Sequence, residues 1–85
     1  MKLKKLYVGN LPYSVNSDGL AELFASFGEV VSAVVITDRQ NNNRSKGFGF
    51  VEFEDDGAAD AAMSEMDGKE VEGRTLKVNE AKPMN

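Results

Sequence analysis

The run KGFGFVEF, Lys46–Phe53, decides how the rest of the chain is read. Its aromatic and β-branched content gives it strand character. With side chains alternating at period two, Lys46, Phe48, Phe50 and Glu52 point one way and Gly47, Gly49, Val51 and Phe53 the other. A half-buried strand ordinarily has one apolar face and one polar face. Here both faces carry large rings, so one aromatic set needs a core and the other needs a different explanation.

Upstream, KLYVGNL (Lys5–Leu11) is a second strand with Leu6 and Val8 on one face and Tyr7 on the other, closed by Pro12. SVNSDGLAELFASFG follows as a helix, with Asn16 or Ser17 as N-cap and Gly28 as terminator. Leu20, Leu23, Phe24 and Phe27 form its apolar stripe. VVSAVVIT (Val30–Thr37) is rich in β-branched residues, and its largely apolar run leaves its two faces undistinguished. DRQNNNRS is a polar loop. Downstream, DDGAADAAMSEMDG is a second helix with Ala59, Ala62, Met63 and Met66 as its stripe and acids in its first turn. A connector around Gly73 leads to RTLKVNE, a last strand with Leu76 and Val78 inward.

The element order is βαββαβ. Each helix has a single apolar stripe, so both pack on the same side of one four-stranded sheet. Right-handed crossovers set the first and third strands side by side in the centre, a 4-1-3-2 order. The expected core is Leu6, Val8, Leu20, Leu23, Phe24, Phe27, Val30, Gly49, Val51, Phe53, Ala59, Ala62, Met63, Leu76 and Val78. That core occupies both helices and leaves the other sheet face bare. Tyr7, Phe48 and Phe50 then form an exposed aromatic patch in the middle of the sheet, the mark of a binding site.

Composition narrows the chemistry. With 85 residues, residues 1–85 make one domain, its ordered core spanning residues 5–82. There is no cysteine and no histidine, which removes disulfides, thiolate nucleophiles, histidine bases and the usual zinc sites. No metal or cofactor is expected. The opening residues are too short in apolar content for a signal peptide or membrane span, so a cytoplasmic monomer is the expectation. Asn43 sits in an NRS glycosylation triplet that carries no weight without a secretion signal.

The formal net charge is −4, yet the ten basic residues are segregated. They fall at Lys2, Lys4 and Lys5, at Arg39, Arg44 and Lys46, and at Lys69, Arg74, Lys77 and Lys82. The first cluster reads as a solubilising terminus. Most acids, including Asp18, Glu22, Asp55, Asp56, Asp60 and Glu65, fall on the helices.

LYVGNL and KGFGFVEF together resemble the two ribonucleoprotein motifs of the RNA recognition motif family, and GRTLKVNEA agrees with its last strand. The nearest likeness is to small single-motif bacterial RNA-binding proteins and to the RNA-binding half of glycine-rich plant proteins. The resemblance implies an α+β, ferredoxin-like sandwich, with a four-stranded antiparallel sheet backed by two helices on one face. It implies that Tyr7 and Phe50 each stack under a base, Phe48 packs against ribose or between two sugars, and Lys46 meets a phosphate or base edge. Arg44 and Lys77 would line the rim, while Asn79, Glu80 and Ala81 would offer backbone hydrogen bonds to bases.

The expected function is therefore non-enzymatic binding of single-stranded RNA in post-transcriptional regulation or RNA chaperoning. Single-stranded DNA offers the same stacking faces. The alternative is protein binding through the sheet or the acidic helix face. Small phosphate-ester and acyl-phosphate hydrolases share the element order, but they need an anion-cradling arginine after the first strand, where this chain has NLPYSVN.

Overall fold

A computed structural model describes residues 4–38, 40, 42 and 44–81. Lys2, Arg39, Asn43 and Lys82, named above, lie outside them. The elements are β1 (Lys4–Gly9), α1 (Ser17–Phe24) running into a 3-10 turn at Ala25–Phe27, β2 (Val30–Asp38), β3 (Arg44–Phe53), α2 (Asp56–Met66), β4 (Glu70–Val71), β5 (Arg74–Thr75) and β6 (Lys77–Glu80). The main sheet runs β2-β3-β1-β6, every neighbouring pair antiparallel, which is the expected order with β6 as its fourth strand.

Local chemistry fixes the ends of these elements. The Asn16 side-chain oxygen accepts from the Gly19 N–H at 2.8 Å, making it the N-cap that starts α1. The Ser17 hydroxyl accepts from the Val35 N–H at 2.9 Å, tying α1 to β2 where the β2–β3 register shifts. Gly28 terminates the turn because nothing larger fits: a Cβ there would lie 2.6 Å from the Ala58 Cβ. The connector around Gly73 is more structured than the sequence suggests, since β4 and β5 pair as a hairpin. Glu72 (φ 49°) and Gly73 (φ 83°) supply the two left-handed residues of its tight turn.

The core lies between the sheet and both helices. Leu6, Val8, Leu20, Phe24, Val51, Phe53, Ala59, Ala62, Leu76 and Val78 are buried there as expected. Leu23, Phe27, Val30 and Met63 pack at its margin. Four further buried residues, Leu11, Val15, Val35 and Met66, complete it. Leu11 and Val15 belong to the β1–α1 loop, which folds back as a plug over the end of the core. The Leu11 N–H reaches the Gly47 carbonyl at 2.8 Å and the Val15 N–H the Pro12 carbonyl at 3.1 Å.

Candidate functional site

Strand register builds the face opposite the helices row by row. Tyr7 pairs with Phe50 and Asn79, and Phe50 with Val34, so Val34, Phe50, Tyr7 and Asn79 form one row across all four strands. The next row holds Phe48, Gly9 and Lys77. The row on the other side holds Ser32, Glu52 and Lys5. Among the described residues no helix crosses these rows, and both helices contact the sheet through Leu20, Phe24, Ala59, Ala62 and Met66 on its other face.

The three rings form one cluster. Tyr7 lies 5.9 Å from both Phe48 and Phe50, and the two phenylalanines lie 6.3 Å apart and nearly perpendicular. All three are half-buried, because each ring shields its neighbours while one side stays open to solvent. Edge-to-face packing of this kind is favourable and holds the rings in place before any ligand arrives.

Gly9 is part of this arrangement, and sequence reading had passed it over. A Cβ at Gly9 would lie 2.6 Å from the Tyr7 hydroxyl oxygen and 2.8 Å from a ring carbon. The tyrosine ring therefore lies back along its own strand, over Gly9 and towards Phe48. The signal was available, since period two puts residues 7 and 9 on one face. Gly49 is in the core, as the alternation expects. It faces inward, where a Cβ would come within 3.0 Å of the Val35 Cα and 3.1 Å of a Leu20 methyl.

Lys5 also belongs here rather than to a solubilising terminus. Its Nζ sits 5.2 Å from the centre of the Phe50 ring, a cation–π contact, and its backbone pairs with Glu52. Glu52 thus has a cation as its cross-strand neighbour, which moderates the repulsion it offers a phosphate. Lys4, facing the other way, binds Asp60 at 2.6 Å and lies 3.7 Å from Glu80. The hydrogen bond to Asp60 holds the Lys4 ammonium above the usual lysine range, against the opposing effect of desolvation.

Arg44, Lys46 and Lys77 are exposed at the Phe48 end of the sheet, around the aromatic cluster's margin. Asn79 is exposed in the row of Tyr7 and Phe50. Of the three residues expected to offer backbone groups, they are not equivalent. The Ala81 N–H donates to the Lys5 carbonyl at 2.9 Å, so it is already engaged in the sheet. In an antiparallel ladder the bonded residues alternate, which aims the Glu80 backbone off the outer edge of β6. The Glu80 side chain turns towards Lys4. Val34, 42% exposed beside Phe50, adds apolar area that the uniform β2 sequence had concealed.

This geometry offers flat aromatic faces, a few cations at one end and open backbone at one edge. It suits planar heterocycles joined by anionic links. Among the described residues, no group of three or more carboxylate, histidine or cysteine side chains is placed to hold a metal.

Residues 6–77 match the family model described as RNA recognition motif. Glycine-rich RNA-binding protein 2, mitochondrial, of Arabidopsis thaliana is 54% identical over 77 residues, covering 91% of this chain and 48% of the relative. The chain thus spans about half the length of that curated relative. Among solved structures, RNA binding protein PG1 superposes with a TM-score of 0.89 at 46% identity, covering 96% of this chain and 98% of that one. The Rna15 RRM with bound RNA (GU) superposes with a TM-score of 0.84 at 28% identity, covering 93% and 83%.

Proposed function

The chain belongs to the RNA recognition motif family, and from that premise we propose that it binds single-stranded RNA on the bare face of its sheet. The observation that carries this reading is the preformed cluster of Tyr7, Phe48 and Phe50, backed by a core that engages both helices elsewhere. Every base has a π-face, and a single strand leaves those faces free. Tyr7 and Phe50 each stack under a base, and Phe48 packs against ribose between them. Lys46, Arg44 and Lys77 meet phosphates leaving the cluster, and the exposed edge at Asn79 and Glu80 supplies hydrogen bonds to base edges. The role is binding rather than catalysis, in RNA regulation or chaperoning.

The likeness to a domain whose structure holds GU supports the ligand class. The two base stacks are together worth roughly 2–6 kcal/mol before ordering costs. Micromolar affinity needs about 8 kcal/mol, so the lone domain binds at micromolar strength or weaker. The test is Phe50→Ala, titrated with a fluorescent single-stranded RNA. Affinity falls by about 1–3 kcal/mol with the fold retained. Unchanged affinity in a folded variant rejects the reading. The names of the relatives include a mitochondrial protein, and family membership does not tie the chain to one compartment.

A further inference from the structure

Tyr13 stands apart from the sheet cluster and is 62% exposed, the most open large apolar side chain among those of the described residues. It is not on a loose loop. The turn from Pro12 to Val15 is closed by a backbone hydrogen bond of 3.1 Å, and Leu11 is pinned to Gly47. The ring edge packs so close to Gly47 that a Cβ there would meet its Cε1 at 3.3 Å. Gly47 adjoins Phe48 but faces the other way, so Tyr13 stands at the Phe48 end of the sheet and round on its helix side, over buried Val15 and Val35.

A cation is fixed on this ring. The Arg74 guanidinium lies 5.4 Å from the ring centre, and its Nη2 donates to the Asn10 side-chain oxygen at 2.7 Å. Asn10 is itself held by donating to the Thr75 carbonyl at 2.7 Å. Arg74 is thus positioned by a neutral amide, and among the described residues no carboxylate lies within ion-pair distance of it. A clamped, uncompensated arginine beside an open aromatic ring suits a phosphate and its base.

The same ring walls a groove of about 170 Å³ over a floor of Val15 and Val35. That is well below the roughly 300–1,000 Å³ of a pocket for a drug-sized ligand, a space for one heterocycle. Asn16, Ser17 and Ser45 line it, and each already uses its oxygen as an acceptor: from Gly19 N–H at 2.8 Å, Val35 N–H at 2.9 Å and Gly47 N–H at 3.0 Å. Each keeps an amide N–H or a hydroxyl O–H to donate and a second lone pair to accept, and Thr37 adds another hydroxyl to the lining. Such a rim can bond the mixed donor and acceptor edge of a base.

We propose that Tyr13, Arg74 and this groove form a further nucleotide subsite, off the sheet, where RNA leaving Phe48 passes over the end of the sheet and seats one more base. This rests on the RNA-binding reading of the sheet. The test compares tetrauridine with octauridine, for Tyr13→Ala, Tyr13→Phe, Arg74→Gln and Phe50→Ala. Tyr13→Ala weakens octauridine by about 5–150-fold, the worth of one stack, and tetrauridine by less than twofold. Tyr13→Phe restores octauridine binding. Arg74→Gln also weakens octauridine selectively, with a shallower salt dependence. Phe50→Ala weakens both uridine lengths. If Tyr13→Ala affects both lengths equally or neither, while Phe50→Ala still weakens both, the subsite is rejected and the sheet reading stands. If Phe50→Ala affects neither length, the sheet reading itself fails.

Discussion

Phe50 and Phe53 sit three residues apart on one strand and have opposite physical roles. Phe53 is fully buried against Phe24, ring centres 6.3 Å apart, and its loss leaves a cavity. Phe53→Ala therefore costs about 3–5 kcal/mol of stability, read from the denaturant midpoint, and leaves the affinity of the folded fraction unchanged. Phe50→Ala does the reverse, weakening RNA binding by about 1–3 kcal/mol with little loss of stability. Two variants that behave alike in both measurements would contradict the two-faced strand. The contrast could be read from Lys46–Phe53 alone, because alternation at period two needs no tertiary information. The roles of Lys5 and Gly9 follow from the same alternation once Tyr7 is placed on the open face. The clamp of Asn10 on Arg74 spans 64 positions and has no local signal at all.

At the level of elements, the sheet stays open on one side because its inner side is tightly filled. β2 and β3 approach closely at Gly49, where an added methyl would press on the Val35 Cα and on Leu20 in α1. Gly49→Ala is expected to lose about 1–3 kcal/mol of stability through overpacking, measured by chemical denaturation. An unchanged midpoint would mean that the strands separate freely there. β1, β3 and both helices were legible because each carries a clean period, of two or of about 3.6 residues. β2 was legible as a strand but not as a two-sided one, since VVSAVVIT is apolar on both faces until β3 pairs with it. The β4–β5 hairpin escaped notice because two-residue strands are too short to show alternation. Leu11 and Val15 escaped because a loop that plugs a core has no period to read.

Across the whole molecule, charge is divided as the fold requires. Asp18, Glu22, Asp55, Asp56, Asp60 and Glu65 are all exposed on the helix layer, and Arg44, Lys46 and Lys77 are exposed at the Phe48 end of the sheet. A chain of net charge −4 can bind a polyanion this way, because screening over about 8–10 Å separates the two sides. With roughly three or four phosphates neutralised, the logarithm of the affinity falls with the logarithm of salt at a slope of about −2 to −3. A slope near zero would remove phosphate contacts from the interface and leave stacking alone.

The most direct measurement is an NMR titration with a pool of short random RNAs, following backbone amides and aromatic ring protons together. Binding on the bare sheet shifts Tyr7, Phe48 and Phe50 and the amides around Asn79, and leaves the exposed positions of α1 and α2 where they were. Shifts gathered on the helices, with the three rings unmoved, would contradict it.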